Sequence, residues 1–580
     1  MKTFRLFAAT LAVALCGSLS AQSLSPSTTW HWEEGTIVVE NPKRPADQQD
    51  VIGLTAPKIQ NVRVAFVGLG MRGPGAVERF CLIPGVEIVA LCDYEEGRAA
   101  RMQSFLRKAG LPPATVYSGE KGYEELCKRP DIDLVYVATD WDHHFPVAKC
   151  ALENGKHTAI EVPSAMNLEQ CWDLINLSEK TRKHCMILEN CCYDWFELRT
   201  LNMAQAGVFG EVLHGKGAYI HNLDPFWDYY WKNPDGSDPD KLGWRMKYNM
   251  ENRGDVYATH GLGPVAQAMD IHRGDRMKTL VAMDTKAAHG PDYVEAKTGK
   301  RPANYRNGDH TTTLIRTENG KVIEIQHNVM NPQPYNRLYQ LVGTKGFADK
   351  YPIRENGDGR GYALDAAQLQ ASGVAPKIDN LNSHDYMPYE QQAALQEKYE
   401  SSIIKKYGER GRRLGHGGMD FMMDSRLVYC LQNGLPLDMD VYDLAEWCCL
   451  AELGTLSMDH NCAAVAVPDF TRGNWNKVKG YSHKYAADEA DTEAIAEKVT
   501  AAQKTLGEQA WKDYDAATTT AEKNVVSCHY AVLAQAEVEK ALKGKLSPET
   551  QKAVKAAQKA LKTFAKAKET EAKKAAKAKK

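Results

Sequence analysis

The chain lacks any long apolar run. Past residue 20, no stretch of 18 or more apolar residues occurs in its 580 residues, and a membrane-spanning helix needs about 20. It also lacks a charge imbalance. Lys plus Arg number 72 and Asp plus Glu 74, a net charge of −2, which argues against a nucleic-acid binder acting through a global positive field. The 14 cysteines lack metal or redox spacing. No CxxC occurs, and they stand singly among apolar residues (Cys92, Cys150, Cys185, Cys430) or as the neighbours Cys191-Cys192 and Cys448-Cys449. Buried free thiols behaving as small hydrophobes are the simpler reading. No pair of carboxylates stands out as a glycosidase dyad. What remains, 43% hydrophobic and 25% charged residues, suits a soluble globular chain of about three or four domains.

The first 21 residues read as a secretory leader. Lys2 and Arg5 precede the apolar run Leu6–Leu15, and small residues lead to a cleavage position after Ala21, with no twin-Arg pair. Export by the Sec route to the periplasm or medium is therefore expected. Residues 22–60 read as a polar N-terminal arm or linker. From Val62 the short apolar runs Val62–Val67, Val86–Leu91, Leu134–Ala138, His157–Ile160 and Cys185–Leu188 alternate with helix-length segments. That alternation means a doubly wound parallel sheet, over residues 61–190. Beyond it, Val212–Ile220, Thr311–Thr317 and Lys321–Asn328 read as longer strands, the last two joined by an Asn319-Gly320 hairpin signal. Residues 191–480 thus read as an α/β domain with an open, mostly antiparallel sheet. Residues 481–580 are rich in Ala and Lys, carry no strand signal and read as a three-helix extension, the last helix starting near Pro548. With no site-like residue beyond Arg472, the extension is expected to be dispensable for chemistry.

Directly after the first strand comes Gly68-Leu69-Gly70-Met71-Arg72-Gly73. A GxGxxG between a strand and a helix lets the backbone turn tightly and approach a pyrophosphate at the helix N-terminus. Met71 and Arg72 lie in that loop. Asp93, twenty residues past Gly73 at the end of the second strand, can accept hydrogen bonds from ribose hydroxyls and so favours NAD over NADP. Two further strands end in Thr139-Asp140-Trp141-Asp142-His143-His144 and Glu161-Val162-Pro163, at the carboxyl edge where such sheets bind ligands. Trp141 and His144 are candidates for the cofactor groove. No metal site is expected at the paired histidines, since no ligand spacing accompanies them.

The order of glycine loop, acidic residue, His segment and E-x-P resembles the Gfo/Idh/MocA oxidoreductases, a Rossmann domain followed by an α/β domain. Their usual E-K-P carries a catalytic lysine, and Val162 stands there instead. Six further segments narrow the resemblance: Glu189-Asn190-Cys191-Cys192-Tyr193, Gly217–His221, Tyr257–Gln267, Gly308–Leu314, Gly415–Asp420 and Pro468–Gly473. Together they resemble glycoside hydrolase family 109, the NAD-dependent α-N-acetylgalactosaminidases, across residues 55 to 476.

That resemblance implies a redox-neutral hydrolysis: oxidation at sugar C3, loss of the acidified C2 proton, elimination at C1, addition of water, and return of the hydride, with net retention. It implies His260 as the acid/base, in Y-x-T-H-G, and a His titrates in the appropriate range. It implies Tyr257 as a relay for the C3 hydroxyl, Tyr193 and Tyr335 as substrate-lining tyrosines, and Glu161 beside the nicotinamide ribose or the sugar. Asn190 joins the cofactor residues, and His416 lines the pocket. The partner expected is a glycan or glycoside, and a homo-oligomer is compatible with the reading. An exported NAD-dependent sugar oxidoreductase and a non-catalytic carbohydrate-binding protein are the alternatives.

Overall fold

The apolar runs between residues 62 and 187 become the strands of an all-parallel sheet in the computed structural model, which describes residues 28–227, 242–355, 357–374 and 385–578. The leader expected at 1–21 lies outside the described residues. Strand order is Thr115–Ser118, Val86–Asp93, Val62–Val67, Leu134–Val137, His157–Ile160, Cys185–Ile187. The order reverses beside Val62–Val67, so a crevice opens at the carboxyl ends of Val62–Val67 and Leu134–Val137. Val86–Asp93 is buried along its whole length, as a strand covered on both faces requires. The edge strand Thr115–Ser118 was not anticipated. It has only four residues and half of them are uncovered, so it carries little apolar signal.

Ten strands form the second sheet, in the order Trp30–Glu33, Thr36–Val39, Ala464–Ala466, Met277–Asp284, Thr311–Thr317, Val322–Asn328, Val212–Ile220, Gln340–Gly343, Gly346–Asp349, Gly361–Leu364. The hairpin at Asn319-Gly320 forms, with Gly320 at φ +85° and the flanking strands antiparallel. One helix, Thr259–Ala268, lies directly on Val212–Ile220. A Cβ on Gly217 would come within 2.2 Å of the Gly261 carbonyl oxygen. These two glycines let helix and strand backbones touch, which sets the residues before Gly261 over the sheet.

Two expectations change. Residues 22–60 are not simply a linker, because Trp30–Glu33 and Thr36–Val39 pair as a hairpin and Thr36–Val39 joins the sheet beside Ala464–Ala466. Alternate burial of Ile37 and Val39 supplies the period-two pattern that a polar reading of the whole segment overlooked. The extension holds four helices, not three: Glu489–Lys504, Gly507–Ala516, Thr520–Lys543 and Pro548–Ala578. The added break falls at Gly507, where a Cβ would sit 2.2 Å from the Gly110 carbonyl oxygen. These helices are docked on the nucleotide domain. The Trp511 indole donates to the Leu111 carbonyl at 2.9 Å. Asn524 accepts from the Val116 N–H at 2.8 Å and donates to its carbonyl at 2.7 Å. One side chain thus takes the place of a neighbouring strand on the exposed sheet edge.

Thirteen cysteines are among the described residues. None is in a disulfide, and nine are buried, so they pack as small apolar groups.

Candidate active site

The glycine loop has the shape that a dinucleotide phosphate requires. Gly68 is at φ +92°, and a Cβ there would meet the Ala138 carbonyl carbon at 2.4 Å. A Cβ on Gly73 would meet the Gly68 oxygen at 2.1 Å. Gly70 is different: only the Arg98 Nη1 lies near, at 3.7 Å. Gly68 and Gly73 therefore hold the turn against the sheet and helix, while the backbone over Gly70 is open to a ligand at the N-terminus of helix Gly73–Phe80. Asp93 is buried and braces this loop, accepting from the Leu69 N–H at 2.6 Å and the Glu95 N–H at 2.9 Å. Two hydrogen bonds leave lone pairs free on both oxygens, so a ribose diol still finds acceptors there. Met71 is exposed at the loop tip. These features fit the pyrophosphate and ribose of a dinucleotide.

Arg72 leaves the loop toward the sheet edge. Its Nε donates to Glu161 at 3.0 Å, its Nη1 lies 3.1 Å from His416 Nδ1, and its Nη2 reaches Asp420 at 3.3 Å. Asn190 donates to Asp420 at 2.6 Å. Burial pushes the Asp420 carboxyl up, but the Arg72 charge, the His416 hydrogen bond and Arg79 reverse this and hold it far below the usual carboxylate range. The structure thus brings together Arg72, Glu161, Asn190 and His416. Val162 is buried beside them and offers no proton-transfer group.

A second group adjoins the first through Glu189, the neighbour of Asn190. His260 Nδ1 lies 2.7 Å from one Glu189 oxygen and 2.9 Å from the other. Glu189 also accepts from the Cys191 N–H at 3.1 Å. Burial raises its carboxyl, and the His260 charge with the hydrogen bonds from His260 and Cys191 more than reverses this, so it stays ionised. His260 Nε2 lies 3.5 Å from the Tyr257 hydroxyl. Burial pushes the Tyr257 phenol well above its ordinary range, which keeps it a neutral donor. Trp141 stacks on Tyr257, with ring centres 5.7 Å apart. The Arg245 guanidinium lies 4.9 Å from the Trp141 ring and 4.7 Å from that of Tyr257. Tyr219 packs on Tyr257 and His260 at 4.6 and 5.3 Å. Tyr335, 42% exposed, forms the outer wall, 6.4 Å from Tyr219. Aromatic rings, one cation and one oriented imidazole suit a polar ligand with apolar faces, such as a sugar ring.

Two expected site residues take other positions. The Tyr193 hydroxyl donates to Asp438 at 2.9 Å, and Asp438 is held by Arg426 at 2.8 and 2.6 Å. Tyr193 is fully buried in that network, whose contacts are not those of the His260 group. Asp438 borders a separate cavity of about 290 Å³, also lined by His184, Asp440, Tyr481 and Lys484. His144 is buried, with one ring nitrogen 2.8 Å from the Pro163 carbonyl and the other 3.1 Å from that of Thr139. It ties two strand ends together beneath the crevice. Glu189, Cys191 and His260 also form a cluster of metal-type donors within 4.8 Å. Burial pushes the Cys191 thiol far up.

Glu189, Arg245, Tyr219 and Asp420 were not singled out from the sequence. Glu189 had a usable signal, because it follows strand Cys185–Ile187 at the same carboxyl edge that marks Glu161. Arg245 sits in a short helix, Trp244–Glu251, without any motif.

A Rossmann domain with an open dinucleotide cradle, facing an α/β domain that supplies an oriented histidine, defines an NAD-using enzyme. Residues 62–189 match the model of the oxidoreductase family with an NAD-binding Rossmann fold, and residues 193–477 match the C-terminal domain of glycosyl hydrolase 109. Glycosyl hydrolase family 109 protein 5 of Phocaeicola vulgatus is 69% identical over 506 residues, covering 87% of this chain and 95% of that protein. Family 109 protein 1 of Bacteroides thetaiotaomicron is 60% identical over 452 residues, 78% of this chain and 93% of that one. Among solved structures, a myo-inositol dehydrogenase from Lactobacillus casei in complex with NAD(H) and myo-inositol is similar, with 16% identity and a TM-score of 0.44, covering 71% of this chain and 99% of that one. The chain belongs to glycosyl hydrolase family 109.

Proposed function

We propose that the protein hydrolyses α-linked N-acetylgalactosaminides with net retention, by an oxidation–elimination–addition–reduction cycle, and that it does so after export. The observation that carries the reading is the Glu189–His260–Tyr257 chain at the mouth of the dinucleotide crevice. The Gly68–Gly73 loop, Asp93 and the Arg72–Asn190 group would hold NAD, which would supply the hydride acceptor and, in its reduced form, the donor that restores the sugar.

The side chains supply the proton transfers. Glu189 accepts a hydrogen bond from His260 Nδ1–H and so leaves Nε2 as the reactive nitrogen. His260 Nε2 takes the proton from the sugar carbon beside the oxidised position and returns one later. Tyr257 donates to, and relays the proton of, the hydroxyl at the oxidised carbon. Arg245, Tyr219, Trp141 and Tyr335 hold the ring by stacking and hydrogen bonding. With Val162 in place of a lysine, the proton transfers fall to the pair on the other side of the crevice.

The test is hydrolysis in heavy water, read by nuclear magnetic resonance of the released sugar. Deuterium at C2 is expected, because a direct displacement at C1 never breaks that bond. Protium retained at C2 throughout turnover refutes the cycle. Net accumulation of NADH instead selects a sugar oxidoreductase.

A further inference from the structure

Residues 548–580 contain 11 lysines and three glutamates. They therefore carry +8 in a chain of −2, and the other 547 residues carry −10. The described part forms a helix of 31 residues, Pro548–Ala578. Its inner face is Val554, Ala557, Leu561 and Phe564, which pack against the body, with Lys568 paired to Glu522 at 2.5 Å. Lys552, Lys555, Lys559, Lys562, Lys566, Lys573 and Lys577 recur at steps of three, four or seven residues and are all exposed. At about 100° per residue they fall within an arc of about 80° opposite the packed face, along roughly 38 Å of helix axis. Glu549, Glu569 and Glu571 lie outside the arc on the same reckoning. Glu569 is 2.6 Å from Lys573. The other six have no ion-pair partner among the described residues.

We propose that this lysine ridge is a docking surface for a linear acidic glycan, sulfated or uronate-bearing. Adjacent lysines rise about 5 Å apart, the scale of one sugar ring, so anionic groups along a glycan can meet successive ammonium groups. The ridge uses lysine rather than arginine, and the one aromatic in the helix, Phe564, faces the body, so the ridge attracts charge without stacking on bases. Its apolar residues face the body, leaving none to insert into a bilayer. A convex ridge also presents only its crest to a flat membrane, while a chain can follow its length. The body is net negative and repels such a glycan. The basic helix offsets that repulsion in an enzyme of a glycan-cleaving family.

The experiment compares the full chain with a variant in which all seven ridge lysines become glutamine, a residue of similar helix propensity. Binding to a heparin oligosaccharide is measured by calorimetry. Vesicles of equimolar phosphatidylglycerol and phosphatidylcholine are tested by sedimentation. Circular dichroism and activity on a neutral aryl glycoside confirm that the variant is folded. The full chain should bind heparin about a thousandfold more weakly at ~200 mM than at ~50 mM salt, for about six contacts. The variant should lose at least about tenfold in affinity at low salt and keep its activity on the neutral glycoside. Unchanged heparin affinity in the variant, or vesicle binding without heparin binding, overturns the proposal. No turnover of the bound glycan is needed, so the result is independent of the reaction proposed above.

Discussion

Replacing Glu189 by glutamine isolates the carboxylate that holds the proposed acid/base. Glu189 is fully buried, and its two oxygens lie 2.7 and 2.9 Å from His260 Nδ1. Glutamine keeps the shape and can still accept from the Cys191 N–H, now 3.1 Å away. It loses the charge that steadies the imidazolium and offers an N–H that can hold the ring in the wrong tautomer. A charge-assisted hydrogen bond in a dry site is worth about 1.5–3 kcal/mol, and the lost ion pairing adds to this. A total of about 2–4 kcal/mol corresponds to roughly a 30- to 1000-fold fall in kcat. The assay is release of an aryl N-acetylgalactosaminide, with NAD affinity measured by fluorescence and folding by thermal melting. NAD affinity should stay within about threefold, because Glu189 does not touch the glycine loop. Glu189→Asp, which keeps the charge on a shorter arm, should recover part of the rate. A folded Glu189→Gln enzyme with kcat within about threefold of the parent, or a loss that appears wholly as weaker NAD binding, refutes the role.

Gly70→Ala should fold normally and weaken NAD, since only Arg98 stands near the added methyl, whereas Gly68→Ala should fail to fold, at φ +92° and 2.4 Å from the Ala138 backbone; melting and NAD titration of the pair separate cradle from turn. Tyr193→Phe should cost about 1–3 kcal/mol of stability through its lost bond to Asp438 and leave kcat within about threefold, and a large fall in kcat would return Tyr193 to the pocket. Ending the chain at Lys543 should preserve activity on small glycosides. Ending it at Gly480 should destabilise the nucleotide domain by uncovering the Thr115–Ser118 edge and removing Trp511 and Asn524; melting temperatures decide. Burial pushes the Asp255 carboxyl up to about 7, and neither oxygen has a hydrogen-bond partner among the described residues. A raised acid stabilises the fold while protonated, and that contribution fades as pH climbs from about 4 through 7. Denaturant titrations should therefore show Asp255→Asn gaining up to about 4 kcal/mol over the parent at pH 8 and only about 1.5 kcal/mol at pH 5, and a gain equal at both pH values would refute it.

The parallel sheet and its glycine loop were legible because their signals are local. A buried strand is a run of apolar residues, and the cradle needs three glycines within six positions. The Asn319-Gly320 hairpin was legible for the same reason. The groups around His260 were legible only where a motif spanned them. Arg72 and Asp420 meet across 348 residues of sequence, and Glu189 and His260 across 71. Nothing in the spacing of either pair marks the contact, because distant elements create it. The docked extension was illegible for a related reason. Its alanines and lysines read as solvated helix, while the decisive contacts are a few residues such as Trp511 and Asn524 that meet the sheet edge.

Val162 gives the arrangement its logic. A lysine at that position would stand on the nucleotide domain, beside Glu161 and Arg72, and would carry the proton chemistry within one domain. Here the position is apolar and buried, and Glu161 is already engaged by Arg72. In the proposed cycle proton transfer falls to a histidine instead, on a helix of the second domain set down by the Gly217–Gly261 contact. The carboxylate that orients that histidine, Glu189, comes from the end of the last strand of the nucleotide domain. The Glu189–His260 pair thus spans the domain boundary. A shift of the helix by about 1 Å would lengthen the 2.7 Å contact beyond hydrogen-bonding range. Under the proposed mechanism the close packing of helix on strand positions the acid/base, and the glycines that permit it act as positioning residues although they touch no ligand.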